Sequence, residues 1–360
     1  MALANDIART VWRRMADASA RRQRRAPLGF ASGRSSRPTV YFLTPDHPTP
    51  SGGIRVIYRH VDILNAYGID AAVLHRRPDF RCTWFENRTK VTDIAAVRIG
   101  RDDLLVVPEV DVEALAGVPP GIRRVIFNQN SHLTWKGSGQ QASRFYAPGP
   151  DLAAVVCVSE HNLRMLRLAF PQCPLRRVHL GIDPALFGPG EEARPRRIAY
   201  MPRRSRDDAW QVLALLDARG ALAGWEVAAL DNLSHGEVAA RLKSARIFLA
   251  FTRQEGFGLP AAEAMACGCY VVGNDGFGGG EFFRPGHCAR VESGDIVGFA
   301  AAVEAALIAE RAEPGWCAAR GRRAARFVLE EYSLRRERDD VVGLYDDLLC
   351  AAGRAAAAPR

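Results

Sequence analysis

Read for apolar and polar positions, the chain becomes a regular succession of strands and helices from residue 38 onward. PTVYFLTP (38–45) is a β-rich apolar run that ends in the proline-broken loop HPTPSGG. IRVIYRHVDILNAYG (54–68) has helical periodicity and closes on Gly68, and IDAAVLH (69–75) is again strand-like. Strand, glycine loop, helix and strand make one βαβ unit. DLLVVPE (103–109), RRVIFNQN (123–130) and AAVVCVS (153–159) are further short apolar strands, and Ser159 is placed to cap the helix EHNLRMLRLAF. Continuously apolar strands separated by helices predict a parallel sheet covered on both faces.

HLGIDPALFGPGEEARP (179–195) interrupts this pattern with Gly, Pro and charge, after which it repeats. RRIAYMP (196–202), GWEVAAL, RIFLAF and CYVVGND read as strands. DAWQVLALLDARG, HGEVAARLKSA, PAAEAMACG and DIVGFAAAVEAALIAERAE read as helices. The expected organisation is α/β, with two doubly wound Rossmann-like domains and a hinge near residue 185. The predicted divisions are an arm and linker over 1–37, a first domain over 38–185, a second over 186–330 and a closing helical segment over 331–360.

Composition narrows the function. The net charge is +9, but residues 1–37 hold nine arginines against Asp6 and Asp17, so +7 of it lies in the arm. The body is nearly neutral, which argues against nucleic-acid binding by the fold itself. Within the arm, Leu3, Ile7, Val11 and Met15 recur at helical steps beside Trp12, among many arginines. That pattern suits a basic amphipathic helix on an anionic membrane, through residues 1–25. No apolar run is long enough to span a bilayer, and no secretory leader is evident. Eight cysteines without a C-x-x-C pair, several in apolar strands, read as reduced, buried thiols of a cytoplasmic protein. Neither a D-x-D motif nor a His/Asp cluster suggests a metal.

The chemistry concentrates in RQEGFGLPAAEAMACGCY (253–270). Pro260 suits the first turn of a helix that follows a buried strand. Glu255 then lies in the loop and Glu263 in the first helical turn, while Gly256 and Gly258 permit close backbone approach. Free amides at the helix start, at the carboxyl edge of a parallel sheet, attract an anion. Carboxylates on either side can accept from pairs of sugar hydroxyls. Either glutamate by itself is an ordinary loop or helix-start residue. With EGFGLP between them, they fit a nucleotide-diphosphate sugar.

EGFGLPAAEAMACG resembles the E-x7-E signature of retaining glycosyltransferases of family four, which have the GT-B fold. SGGIRVIYRHVDILNAYGID, AAVVCVSEHNLRML, VHLGIDPALFGP, NDGFGGGEFF and EEYSLRRERDDVVGLYDDLL resemble that family's other marks, in order, over about residues 38 to 350. The resemblance implies that Glu255 holds the donor sugar and Glu263 the ribose. Amides near Phe257, Gly258 and Leu259 would meet the sugar and diphosphate, with Gly52 and Gly53 approaching from the first domain. Arg203 matches the family's arginine after the first strand of the second domain. Asp207 and Asp208 stand where a lysine is usual, leaving Arg204 or Arg206 to supply the second charge. The family's first-domain histidine has no counterpart in its usual setting, so Asn128, Gln129 or His132 would take its part. The closing helix would return to the first domain.

The function so implied is retaining transfer of a hexose or deoxyhexose from a nucleotide-diphosphate sugar to a glycan or lipid-linked acceptor. The setting would be bacterial surface polysaccharide synthesis, without a metal or other cofactor, in the cytoplasm or peripheral at the inner membrane face. The alternatives are another GT-B enzyme, an epimerase or phosphorylase, or a non-catalytic binding subunit. A phosphorylase would need a cofactor lysine in the second domain, where Lys243 stands alone without a supporting motif.

Overall fold

A computed structural model describes residues 28–33, 37–136, 141–191, 193–203 and 205–357, with side chains through residue 351. The basic segment 1–25 and Arg204 therefore lie outside the described residues.

The first sheet contains β1 (Val40–Leu43), β2 (Ala71–His75), β3 (Val91–Asp93), β4 (Leu104–Pro108), β5 (Arg123–Asn128), β6 (Leu152–Cys157) and β7 (Leu175–Arg177). Its spatial order is β3-β2-β1-β4-β5-β6-β7, and every pairing is parallel. Every residue of β2 and of β4 is buried, as strands covered on both faces require. Helices α1 (Gly52–Ala66), α2 (Ala142–Tyr146) and α3 (Glu160–Ala169) accompany this sheet, and the short α4 (Pro184–Phe187) in the crossover packs on helices of the second domain.

The second sheet contains β8 (Arg197–Tyr200), β9 (Glu226–Ala229), β10 (Ile247–Ala250), β11 (Tyr270–Gly273) and β12 (Cys288–Arg290). They lie in the order β12-β11-β10-β8-β9, again all parallel. Helices α5 (Arg206–Ala218), α6 (His235–Lys243), α7 (Leu259–Ala266), α8 (Ile296–Ala312) and α9 (Trp316–Glu331) flank it. The strand order reverses between β1 and β4 in the first sheet and between β8 and β10 in the second. Loops at the carboxyl ends of such strands form the natural ligand crevice of an open α/β sheet.

The last helix, α10 (Leu334–Ala357), packs on α1. Tyr345 is buried with its ring 5.5 Å from that of Phe42. Arg123 donates to the carbonyl of Leu348 at 2.5 Å, and Arg59 pairs with the buried Glu337 at 2.7 Å. Ile182, in the crossover between the sheets, donates to the carbonyl of Tyr332 at 2.7 Å.

One local expectation changes. Periodicity alone starts the first helix at Ile54, but α1 begins at Gly52, so the two glycines form its first turn instead of a loop before it. Glycine is a poor helix former, which hides the true start from a pattern search. Beyond β4, Glu109–Gly117 is a run of 3₁₀ helix.

Candidate active site

Strand β10 delivers the chain to the crevice with all four of its residues buried. The loop beyond it is pinned by hydrogen bonds: Thr252 donates to the carbonyl of Asn274, and the Glu255 amide donates to the carbonyl of Gly276 at 2.9 Å. Phe257 is an internal anchor, 3 % exposed, with its ring 5.0 Å from Tyr332 and 5.2 Å from Phe282. Only its backbone can serve a ligand. Gly258 precedes α7 with φ +94°, a left-handed conformation that glycine adopts at no steric cost. No side chain caps α7, and Pro260 in its first turn has no N–H to satisfy, so the remaining amides of that turn stay unpaired by the helix.

Gly256 has a different reason to be glycine. A Cβ there would come within 1.7 Å of the Gln129 carbonyl oxygen and 2.9 Å of Asn130 Cα. The backbones of the two domains touch at this point. Nearby, a Cβ on Gly52 would lie 3.0 Å from a Leu259 methyl, so the first turns of α1 and α7 confront one another across the cleft. Ser51 gives α1 no side-chain cap either. Two uncapped helix starts thus converge, each with partial positive charge. Arg203 adds a full one: its Nη1 donates to the carbonyl of Pro50, just ahead of α1, at 2.8 Å.

Gln129 lies in this cradle, donating to the Gly53 carbonyl at 3.0 Å. Its loop is held from beneath by Glu109, whose carboxylate accepts the amides of Gln129 and Asn130, each at 3.1 Å. Complete burial pushes the Glu109 pKa up to about 7 against those two donors. Asn130 reaches across and donates to the carbonyl of Gln254 at 2.9 Å. Asn128 does not join them. It is fully buried and donates inward, to Thr134 Oγ1 and Tyr146 Oη, both at 2.8 Å. Its amide cannot take the absent histidine's part without breaking that network. His132 lies to the side, with Nε2 3.1 Å from Nε2 of His161.

Glu263 is 6 % exposed and carries two neighbours that local pattern could not reveal. Arg55 Nη2, from α1 of the opposite domain, sits 2.5 Å from its Oε1, and His235 Nε2 lies 3.6 Å from the same oxygen. Burial, then the charges of Arg55 and Arg59, push the His235 pKa down to about 3, so this imidazole is neutral. Arg55, Arg59, Trp84, Phe85, His235 and Glu263 line part of a cavity of about 850 Å³ between the domains. Arg206 stands apart from the cradle, mostly exposed, 3.3 Å from Asp231. The acid at the lysine position is not idle: Asp208 holds Arg253, two residues before Glu255, at 3.2 Å. Among the described residues no group of three His, Cys, Asp or Glu could hold a metal ion.

Comparison with known proteins agrees with this geometry. Residues 212–308 match the family model "Glycosyl transferases group 1". An alpha-1,6-glucosyltransferase of Actinobacillus pleuropneumoniae serotype 7 is 27% identical over 252 residues, 66% of this chain and 73% of that protein. Sucrose-phosphate synthase from Thermosynechococcus elongatus superimposes with a TM-score of 0.65 at 15% identity, covering 88% of this chain and all of the other. HepE from Anabaena, solved in complex with UDP, gives a TM-score of 0.61 at 12% identity over 87% of this chain and 100% of its own. With facing parallel sheets and a shared cradle, the chain has the GT-B fold and is similar to group 1 glycosyltransferases.

Proposed function

We propose that the chain transfers a hexose or deoxyhexose, with retention of anomeric configuration, from a nucleoside-diphosphate sugar to a glycan or lipid-linked acceptor. The observation that carries this reading is the confrontation of two uncapped helix starts, α1 and α7, with Gly52 and Leu259 in near contact. A diphosphate is the ligand class whose charge such a pair stabilises, and Arg203 strengthens the attraction. HepE was solved with UDP and with glucose, and the Actinobacillus protein is a glucosyltransferase, so UDP-glucose is the first donor to try.

In the proposed reaction the bond from the anomeric carbon to the diphosphate oxygen breaks as the bond to the acceptor oxygen forms. The acceptor's proton passes to the departing phosphate oxygen on the same face. Glu255 orients the sugar by its hydroxyls and Glu263 orients the ribose, so neither serves as nucleophile. The cleft contributes positioning and fixed positive dipoles where charge develops. Transfer proceeds without a metal, so it persists in EDTA. The setting is bacterial surface polysaccharide assembly, and the basic segment 1–25 brings the enzyme to an anionic membrane surface. Removing residues 1–36 then abolishes sedimentation with anionic liposomes; equal sedimentation of both forms rejects the membrane role.

The deciding experiment is a thermal-shift panel of UDP, GDP, ADP and dTDP and their sugars, followed by kinetics with the donor it selects. Bound donor raises Tm by mass action. Glu263→Ala is expected to weaken nucleotide binding by about 10-fold or more, and Glu255→Ala to cut transfer by about 100-fold at near-normal nucleotide affinity. If both variants bind and turn over like the parent, these roles are wrong.

A further inference from the structure

The loop Asp275–Glu281 contains a backbone feature that packing alone does not require. Phe277 has φ +68° and ψ −52°, and the Gly278 amide donates back to the Gly276 carbonyl at 2.9 Å. This is a γ-turn of the rare, strained hand, centred on a bulky residue. Glycine would adopt it freely, and glycines occupy both flanking positions. The turn is held from several sides. Asp275 accepts the Phe277 amide at 2.9 Å and is itself paired with Arg290 at 2.9 Å. A Cβ on Gly278 would come 2.3 Å from the Gly256 carbonyl oxygen, so the turn is pressed against the donor loop. Strain of this kind persists where the surroundings enforce it, and it concentrates at functional sites.

What the turn achieves is to present the ring. Phe277 is 46 % exposed although it lies at the domain junction. Its ring stacks on His161, 5.3 Å away and 24° from parallel, and lies 5.4 Å from His132. The two imidazoles stack on each other at 5.0 Å. Thus an aromatic ring from the second domain meets two imidazoles of the first. Residues 255 and 277 form an isolated parallel bridge, which places the cluster at the Glu255 end of the donor loop, away from the cradle at Leu259. Burial and the adjoining His161 hold His132 below its ordinary pKa, and burial and Arg164 do so for His161. Neutral imidazoles can both donate and accept. The Nε2–Nε2 contact occupies one nitrogen of each ring.

We propose that Phe277, His132 and His161 form an acceptor-side subsite for a pyranose ring, whose C–H face lies on the phenyl ring while its hydroxyls pair with the imidazole nitrogens. The proposal rests on the donor reading above, because Glu255 places the transferred sugar beside this cluster. An apolar, electron-rich face suits the C–H side of a sugar, and polar atoms at its rim give orientation. It assigns His132 to the acceptor instead of to the donor sugar.

The test uses full-length protein labelled with [15N]histidine, the signals of His132 and His161 being assigned by substitution to Gln. UDP is added to saturation first, and methyl α- and β-glycopyranosides of glucose, galactose and mannose are then titrated in. The expected result is that at least one glycoside shifts both histidine signals. Phe277→Ala and Phe277→Gly should weaken that binding by about tenfold, with UDP affinity within about twofold of the parent. Phe277→Gly is the control for folding, since it relieves the turn and should not lower Tm. Phe277→Tyr should keep the binding. Glycoside affinity unchanged in Phe277→Gly overturns the proposal, as does a panel in which no sugar moves either histidine of the parent protein. Failure of UDP to bind counts against the donor reading alone, and the glycosides are then titrated into the free protein.

Discussion

Gly256 and Gly258 lie two residues apart and are glycine for unrelated reasons. Gly258 needs its positive φ, whereas Gly256 is absent from the left-handed region and needs only to lack a Cβ. The missing atom would fall 1.7 Å from the Gln129 carbonyl oxygen, which belongs to the other domain. Alanine at 256 therefore acts on the cleft more than on either fold. Gly256→Ala should leave each domain's core packed but push the domains apart. Nucleotide affinity and transfer should fall by about tenfold or more, since a displacement near 1 Å disrupts positioning severely. Small-angle scattering should show a larger radius of gyration at nearly unchanged Tm. A variant with parental scattering and parental affinity would show that the contact is not what closes the cleft. At this scale the spacing of Glu255, Gly256, Gly258 and Glu263 could be read without a structure, because all of it lies within one strand–loop–helix turn. Arg55, His235 and Glu109 could not. Arg55 is 208 positions from the glutamate it holds, and nothing in a helix such as α1 marks one arginine as facing another domain. Asn128 erred in the other direction, since an amide at a strand's end looks available until its neighbours Thr134 and Tyr146 are placed.

The elements divide in the same way. Strands of β-branched and aliphatic residues announced themselves, since parallel strands buried on both faces carry no alternation to confuse them. Ser159 accepts the Asn162 amide at 3.2 Å, and Gly68 takes φ +79° after α1, as their positions in the pattern suggested. Misreadings fell where function overrides propensity. Gly52 and Gly53 lie inside the helix although glycine costs about 1 kcal/mol there relative to alanine; a Cβ on Gly52 would come 3.0 Å from a Leu259 methyl and one on Gly53 3.3 Å from the Gln129 side chain. The three-residue strands β3, β7 and β12 are too short to leave a periodic signal and exist by pairing with longer neighbours. The turn at Phe277 contradicts propensity outright, since glycine would be the cheaper residue at its centre.

Among the described residues, the polar contacts that join the two domains at the cleft include Arg55 to Glu263, Arg203 to the Pro50 carbonyl, Asn130 to the Gln254 carbonyl and the Glu160 amide to Glu281. Arg177 adds a pair with Glu281 at 2.6 Å, and Tyr332 donates to the same carboxylate. The Arg55–Glu263 pair is the most enclosed of the cleft pairs, with side chains 16% and 7% exposed. Removing one member of a buried pair strands the other, at a cost of about 3–5 kcal/mol, whereas replacing both is far cheaper. Arg55→Met should therefore destabilise strongly and Arg55→Met/Glu263→Gln much less, and urea unfolding measures the coupling. The pair also governs a titration. His235 has a folded pKa of about 3 against an ordinary 6.5, so the stability it contributes is present above pH 6.5 and is lost as pH falls toward 3. Burial remains when Arg55 is removed, but the second cause of the depression disappears. His235 then protonates more readily in the folded state and meets Glu263, 3.6 Å away, as a cation. The stability gap between parent and Arg55→Met should narrow once pH falls below the variant's raised His235 pKa, by up to about 1.4 kcal/mol per pH unit down to about pH 3. A gap that stays constant, or widens, down to pH 3 would mean that burial alone, and not Arg55, holds His235 neutral.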